Sequence, residues 1–584
     1  MEKRVPESKA HSDGAMIRMR HFRICFGLAL MMICFCIATA QFRELGSPEL
    51  SAQLKLAIEP QGPARVYLYR YSRNWTPFQL GSVDALIPFR HDFYYRERFF
   101  FRRKPPETLE VTCRDKSHFI LLKGKGSFEL PPGRYRVEAY RGFFFIPAVQ
   151  EFELKPGESS QITLKLANWA GAEREKWISS DAHVHILRSG EEDSILLDWL
   201  EAEDLNVISD LQIQRQSEAA MQSGFGPEAE ARRGRYSVRS GEESRSEFFG
   251  HIGYLGLREL VKPISLGLMY ANSPLTYPYP AVSFSQARSL GGTVGYVHFN
   301  GSMRHSTLLM CLALEKIDYA EVMAFGYLNV DGWYELLNAG LRFTGTSGSD
   351  FPVQLGRTDS WPPYLPLLGP ERTLVKTNAA GSPYEAWASG VKKGGSDVVV
   401  TNGPLVEINV DEKTHMAKAS AGFFRPLELL EIVLNGKVIS SAAGDGQKTS
   451  LTVSAKLPET ESFWVAARVK AQKSAAGESD ADIQAREESA QKSPPYFLPV
   501  TALKGEPVIQ AHTNPIYVLH NGKPVCLPEA RARVAQKWES ELAYYRAAPL
   551  EFANEAQKHE FFDLAEKALS ILKTPPSDRF KGSD

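Results

Sequence analysis

The 584-residue chain predicts a multidomain α/β protein: a central barrel-like domain of strands and helices, an N-terminal β-sandwich, and a C-terminal β region ending in helices. Three observations carry this. The length allows roughly three or four domains of about 150 residues, each able to bury its own core. Between Trp177 and about Pro404, short apolar runs alternate with helix-like segments, the pattern of a parallel α/β domain. On both sides of that stretch, apolar and polar residues alternate between Pro- and Gly-containing turns, as in half-buried strands.

Residues 1–40 read as a secretory signal peptide. Arg18, Arg20 and Arg23 precede the apolar run Ile24 to Ile37, and Ala38-Thr39-Ala40 supplies a small-x-small cleavage site. Ile24 to Ala40 is also nearly long enough to span a bilayer, so an uncleaved anchor is the alternative, and contact with a membrane is expected only in that case. Either way the folded part is expected outside the cytoplasm, periplasmic or extracellular. Cys25, Cys34 and Cys36 fall inside this segment, which leaves Cys113, Cys311 and Cys526. Three scattered cysteines form neither a disulfide framework nor a zinc-knuckle spacing, and they are expected as buried thiols. The 68 basic and 69 acidic residues nearly cancel, so no whole-chain field points to nucleic acid or to an anionic membrane surface.

Residues 41–170 are expected to form the sandwich. Val66 to Tyr71 is a short apolar-aromatic run; Gly133 to Tyr140 and Gln161 to Leu166 alternate, with turns at Pro131-Pro132-Gly133 and Lys155-Pro156-Gly157. The text "LPPGRYRVEAYRG" followed by "FELKPGES" resembles the carboxypeptidase-regulatory-like modules of exported enzymes. Within it, Phe89 to Lys104 mixes aromatic residues with arginines. That run is either a stacking surface with cationic support or, the preferred reading, aromatic strands packed on a neighbouring domain with arginines on the wet face.

The central domain, 177–404, contains apolar runs at Asn206 to Ser209, Thr293 to His298, Ala320 to Phe325 and Arg342 to Gly345, with helix-like segments at Asp193 to Asp204 and Asp331 to Ala339. In barrels of this kind the chemistry sits at the C-terminal ends of strands. Strands return over 405–525, interrupted at 471–495 by a polar, Ala/Lys/Glu/Ser/Gln-rich stretch that reads as a solvated, disordered insertion. Over 526–573 two helices are expected, because Ala530, Val534, Trp538, Leu542 and Tyr545 recur at helical spacing.

The chemistry-bearing residues begin with Asp181-Ala182-His183-Val184-His185. Side chains two apart on a strand share a face, so His183 and His185 present two imidazoles to one point, a metal-ligand geometry. A pair of hydrogen-bonded core histidines gives the same text. Downstream, Asp210 follows an apolar strand, Glu242 and Glu243 sit in Ser-Gly-Glu-Glu, His251 in Phe-Gly-His-Ile, His298 at the end of Gly-Tyr-Val-His, and Asp350 closes Thr-Ser-Gly-Ser-Asp. Singly, each is an ordinary cap, turn residue or core histidine.

In order, these motifs resemble the polymerase and histidinol phosphatase (PHP) superfamily of metal-dependent hydrolases, and more closely its exported CehA/McbA-like branch. The stretches "GHIGYLGL", "NAGLRFTGTSGSDFP", "ERTLVKTN" and "SGVKKGGSDVVVTNGPLVEINVD" add to the resemblance, which runs from Trp177 to about Asp411. It implies a PHP-type distorted (β/α) barrel holding divalent metal ions. It also implies that His183, His185, Glu243 and Asp350 hold one ion and that Glu243, His251 and His298 hold a second, Glu243 bridging. The chain departs from the superfamily's trinuclear form at Leu211, Pro352 and Glu191, where histidines are usual, so the positions for a third ion are missing. Mixed His and carboxylate ligation suits Zn, Mn or Fe without choosing among them.

The expected activity is hydrolysis of an ester, carbamate or amide bond in a small-molecule or cell-envelope substrate by water activated between two metals. Asp350 or Asp210 is the candidate proton shuttle, Asp210 alternatively an orienting group for a ligand imidazole. Arg372 and His305 are candidate substrate contacts, Arg372 equally explicable as a structural ion pair. Two other readings stay open: a phosphoesterase of the same superfamily, and a metal-free barrel whose flanking sandwiches bind a glycan or cell-envelope partner.

Overall fold

The strand Ala52–Glu59 shows how local pattern sets the N-terminal module: Ala52, Leu54, Leu56 and Ile58 point inward while the residues between face out. It pairs parallel with Ser159–Lys165 and antiparallel with Lys125–Leu130. A second sheet runs through Pro63–Tyr71, flanked by Gly133–Tyr140 and Lys116–Lys123. Apolar faces of both sheets contribute to one buried cluster, which also takes in Leu405, Val406 and Ile408 from beyond the central region. The computed structural model describes residues 51–576 apart from 74, 78–86, 90–98, 105–107, 114–115, 187, 189, 216–217, 221–223, 268–273, 302–304, 325–326, 352–367, 379–380 and 473–507. Residues 1–40, read above as a signal peptide, and nearly all of the insertion read at 471–495 lie outside the described residues, as do the side chains of Phe89 to Lys104 and of Cys113. Of the remaining thiols, Cys311 is buried and Cys526 half-buried. No described helix is long and apolar enough to cross a membrane.

Central strands are labelled in chain order: β1 (Trp177–Val184), β2 (Val207–Arg215), β3 (Tyr236–Ser246), β4 (Gly250–Leu255), β5 (Thr293–Tyr296), β6 (Tyr319–Ala324), β7 (Thr344–Gly348), β8 (Arg372–Lys376) and β9 (Val398–Thr401). β1 pairs parallel with β2, and β2 with β3. β3–β4 and β4–β5 are antiparallel, and β5–β6 and β6–β7 parallel again. Phe351, just past β7, forms a parallel bridge with Val184, and its carbonyl accepts the His185 N–H at 2.8 Å. A path that leaves β1 through β2 therefore returns to it from β7.

The pairing is mixed, where the alternation of strands and helices predicts a parallel sheet. Its cause is local: only Glu247 to Phe249 separate β3 from β4, too short for a crossover, so β4 must fold back as a hairpin. This reversal places the start of β4 at the same end as the finishes of the parallel strands. His185, Glu243, His251, His298 and Asp350 consequently cluster at one end of the sheet.

Helices α1 (Gly190–Glu203), α2 (Pro280–Ser289), α3 (Leu308–Ala313), α4 (Val330–Asn338) and α5 (Pro383–Lys393) occupy the connections. Asn329 caps α4 by accepting from Gly332 N, and Ser382 caps α5 by accepting from Glu385 N, each satisfying an otherwise orphaned donor. Beyond β9 the strands do not form a detached unit. Gln510–Thr513 pairs with β9 and with Phe463–Ala471, which in turn pairs with Leu427–Leu434. Helices α6 (Pro528–Ala547) and α7 (Glu555–Lys573) bury Trp538, Tyr545 and Phe561 against Phe249 and Tyr279. Tyr545 also donates to the Phe248 carbonyl at 2.8 Å, so the C-terminal helices buttress the turn that delivers His251.

Candidate metal centre

The strand alternation that put His183 and His185 on one face holds their Nε2 atoms 3.0 Å apart. Each ring is oriented from behind. His185 Nδ1–H donates to the Leu211 carbonyl at 2.8 Å, and His183 Nδ1–H to Glu321 Oε2 at 3.1 Å. With both Nδ1 atoms acting as donors, both Nε2 atoms face the same space, where either a second ring proton or a cation can sit between them.

Two carboxylates complete that space. Glu243 Oε2 lies 3.6 Å from His183 Nε2 and 3.1 Å from His185 Nε2, and Asp350 Oδ1 lies 3.5 Å and 3.2 Å from the same atoms. For metal–ligand bonds of about 2.0–2.1 Å, the edge of a tetrahedron is about 3.3 Å. Together with the 3.0 Å nitrogen pair, these five separations are edges of that size.

A second donor set shares Glu243. Its Oε1 is 3.0 Å from His251 Nδ1 and 3.9 Å from His298 Nε2. Asp350 also spans both sets, since its Oδ2 lies 3.4 Å from His298 Nε2. All six donor side chains are shielded from solvent, the most accessible being those of His251 at 9 % and His298 at 6 %. Asp350 Oδ1 faces the His185 ring at 3.2 Å, and such a buried group of carboxylates and imidazoles could hold a cation.

Electrostatics follow from this crowding. Burial opposes charge on His183 and His185, but Glu321 and Asp350 raise the first well above the usual imidazole range, and hydrogen bonds to Asp350 and Glu243 raise the second to about 9. Burial would raise Glu243, yet Arg245 and then His183 hold it well below the carboxylate range; Asp350 falls to about 2 under His183 and His298. Burial lowers His298 to about 3 and also lowers His251, so both present neutral rings. Ionised carboxylates and the neutral rings of His251 and His298 match the protonation that metal ligands require, whereas His183 and His185 hold protons that an incoming ion would have to displace.

The backbone pays for this placement. His298 and Asp350 both have φ of 52°, in the left-handed region that side chains other than glycine seldom adopt. Asp181 holds the Asp350 loop: its carboxylate accepts from Ser349 Oγ at 2.6 Å, Ser349 N at 3.0 Å and Gly369 N at 2.9 Å. Gly348 leaves the room needed at His183, because a Cβ there would lie 2.4 Å from His183 Cβ and 2.5 Å from Glu321 Oε1.

Other predicted residues stand apart from the six. Asp210 Oδ1 accepts the Ile186 N–H at 2.8 Å and so fixes the chain beside His185, while the imidazole itself is oriented by Leu211, one residue on. Burial raises the Asp210 carboxyl to about 7, with its Oδ2 unpartnered. Arg372, the first residue of β8, is fully buried and donates to the carbonyls of Gly369, Asp204 and Glu203, so it ties loops together instead of facing a substrate. His305 stacks on Tyr544 with ring centroids 3.4 Å apart and pairs with Glu541 at 2.9 Å, which commits it to α6. Glu242 points away from Glu243 and accepts from Val261 N at 2.8 Å.

Two residues that the sequence reading did not single out belong to the centre. Arg245, on the same face of β3 as Glu243, places Nη2 3.0 Å and Nε 3.1 Å from Glu243 Oε2. Glu321, in a strand whose six residues are all buried, stands behind His183. A charged residue inside an apolar strand was the available signal for Glu321, because a buried carboxylate without partners is costly. Compared with protein-family models and with curated proteins, the chain matches none, and its chemistry is therefore argued from this geometry.

Proposed function

We propose that the chain is an exported metal-dependent hydrolase whose centre holds two divalent ions, one by His183, His185, Glu243 and Asp350, the other by Glu243, His251 and His298. The reading rests on one observation above the rest: four buried donors spaced like the corners of a coordination tetrahedron, with a second donor set sharing Glu243. It is strengthened by the PHP-like order of these residues and by the return of the strand path from β7 to β1, which suits the distorted barrel that the resemblance implies.

Bound ions of this class supply an activated water near neutral pH and polarise the carbonyl of an ester, carbamate or amide. The protein's own part is orientation. Leu211 and Glu321 fix the imidazole tautomers, Arg245 offsets part of the carboxylate charge, and Asp181 holds the loop that carries Asp350. Asp210, raised to about 7, is suited to take up and release a proton close to neutrality. Burial of the centre keeps bulk water from competing for the donors.

The test is metal analysis with parallel assays of nitrophenyl esters and nitrophenyl phosphates, wild type against His183→Ala and Glu243→Ala. The expected result is two ions per wild-type chain, ester hydrolysis, and loss of both in Glu243→Ala. Full metal and activity in both variants would falsify the assignment. Less than one ion per wild-type chain would favour a binding role, and phosphate turnover without ester turnover would move the protein to the phosphoesterases.

A further inference from the structure

We propose that Glu321 is a positioning residue that couples the two ligand sets through a single oxygen. The inference rests on the two-ion reading above. Glu321 Oε2 accepts from His183 Nδ1 at 3.1 Å and from the backbone N–H of His298 at 2.9 Å. His183 belongs to one donor set and His298 to the other.

Each contact does something different. At His183 the carboxylate fixes the tautomer, so that Nε2 offers its lone pair toward His185, Glu243 and Asp350, and it raises the basicity of the ring as a donor. At His298 it anchors a main chain in the left-handed region, with φ of 52° at His298 and 60° at Phe299. Such a backbone is strained and persists only when its surroundings hold it. Loss of the Glu321 acceptor therefore frees the His183 ring to rotate and the His298 turn to relax, and both sets lose geometry together.

Glu321 is also walled into place. Its side chain is on a fully buried strand, and Oε1 lies against Gly348, where even a methyl group would collide with it. Oε2 is engaged by two N–H donors, an arrangement for holding ligands, while Oε1 is buried without a hydrogen-bond partner, and His183, His298 and Glu321 together could also hold an ion, the alternative that the titration below separates.

The experiment is a Co2+ titration of the full chain, by calorimetry and visible d–d absorption, on wild type, Glu321→Ala and Glu321→Gln, with thermal unfolding of each in chelator. Wild type is expected to take two Co2+. Glu321→Ala is expected to keep the stoichiometry while both dissociation constants rise about 10–100-fold, with broadened d–d bands. Glu321→Gln, which keeps an acceptor oxygen and nearly the same volume, is expected to fall between, raising both constants severalfold, and it decides the matter if the alanine variant does not fold. Dissociation constants equal to wild type in Glu321→Gln overturn the proposal. So does loss of one Co2+ with the other's affinity unchanged, which would make Glu321 a direct ligand. A wild-type chain that binds no Co2+ removes the two-ion reading itself, and this coupling with it.

Discussion

Two histidine environments in the same run of paired strands show what burial alone does not decide. His183 is 0 % exposed and His512, on Gln510–Thr513, is 1 % exposed. His512 has both ring nitrogens matched: Nδ1–H donates to the Thr513 carbonyl at 2.6 Å, and Nε2 accepts from Tyr334 Oη at 2.5 Å. Its surroundings are the rings of Trp333 and Tyr334. His183 instead faces a second imidazole lone pair and two carboxylate oxygens. A satisfied histidine is a core residue, whereas a histidine surrounded by acceptors either keeps a second proton, as the raised basicity of His183 allows, or could share those acceptors with a cation.

The contrast breaks most readily at Glu243. Glu243→Ala removes the group shared by both donor sets and an ion-pair partner of the buried Arg245 guanidinium. Metal content should collapse, and the chain should lose about 3–5 kcal/mol in denaturant unfolding, the usual cost of removing one member of a buried pair. Gly348→Ala should act more gently, since the new methyl group presses His183 and Glu321 out of line. An expected loss of up to ~3 kcal/mol, with weaker metal binding but intact ligands, is checked by unfolding and metal titration side by side.

At His512 the prediction concerns pH. Burial pulls its pKa from 6.5 down to about 3, so between those values the unfolded chain binds a proton that the folded chain refuses. Its contribution is complete above pH 6.5 and is lost as the pH falls toward 3. His512→Gln should flatten that part of the stability–pH curve while costing ~1 kcal/mol at neutral pH. The smallest effect is expected from His305→Ala: metal content and turnover unchanged, and stability lowered by less than about 1 kcal/mol, because it removes only a partly exposed stack and ion pair. A substantial fall in turnover would return His305 to the substrate side.

How much of this is legible in the sequence depends on whether a feature is local. His183 and His185 can be paired from the period of a strand, and Glu243, His251, His298 and Asp350, each ordinary singly, draw notice because they follow in a PHP-like order. The direction of β4 is legible only from the shortness of its connection to β3. What alternation cannot show is which face a charged residue takes once both faces are buried. Glu321 lies in such a strand, and only the three-dimensional pairing of β5, β6 and β7 reveals that it faces His183. Arg372 and His305 illustrate the converse: a cation near a strand and a histidine in a polar loop carry no sign that backbone carbonyls or a distant helix will claim them.

The hydrogen bonding of β9 to Gln510–Thr513 also bears on how the protein can be dissected. A boundary at Pro404, natural from the sequence, would cut along a ladder and leave Val398, Val399 and Val400 on an uncovered edge, although all three are now fully buried. Apolar edges of that kind recruit other chains. A fragment ending there is expected to aggregate, and one carried through α7 to remain monodisperse, so the folding unit in practical terms extends from the first described strand to the last described helix.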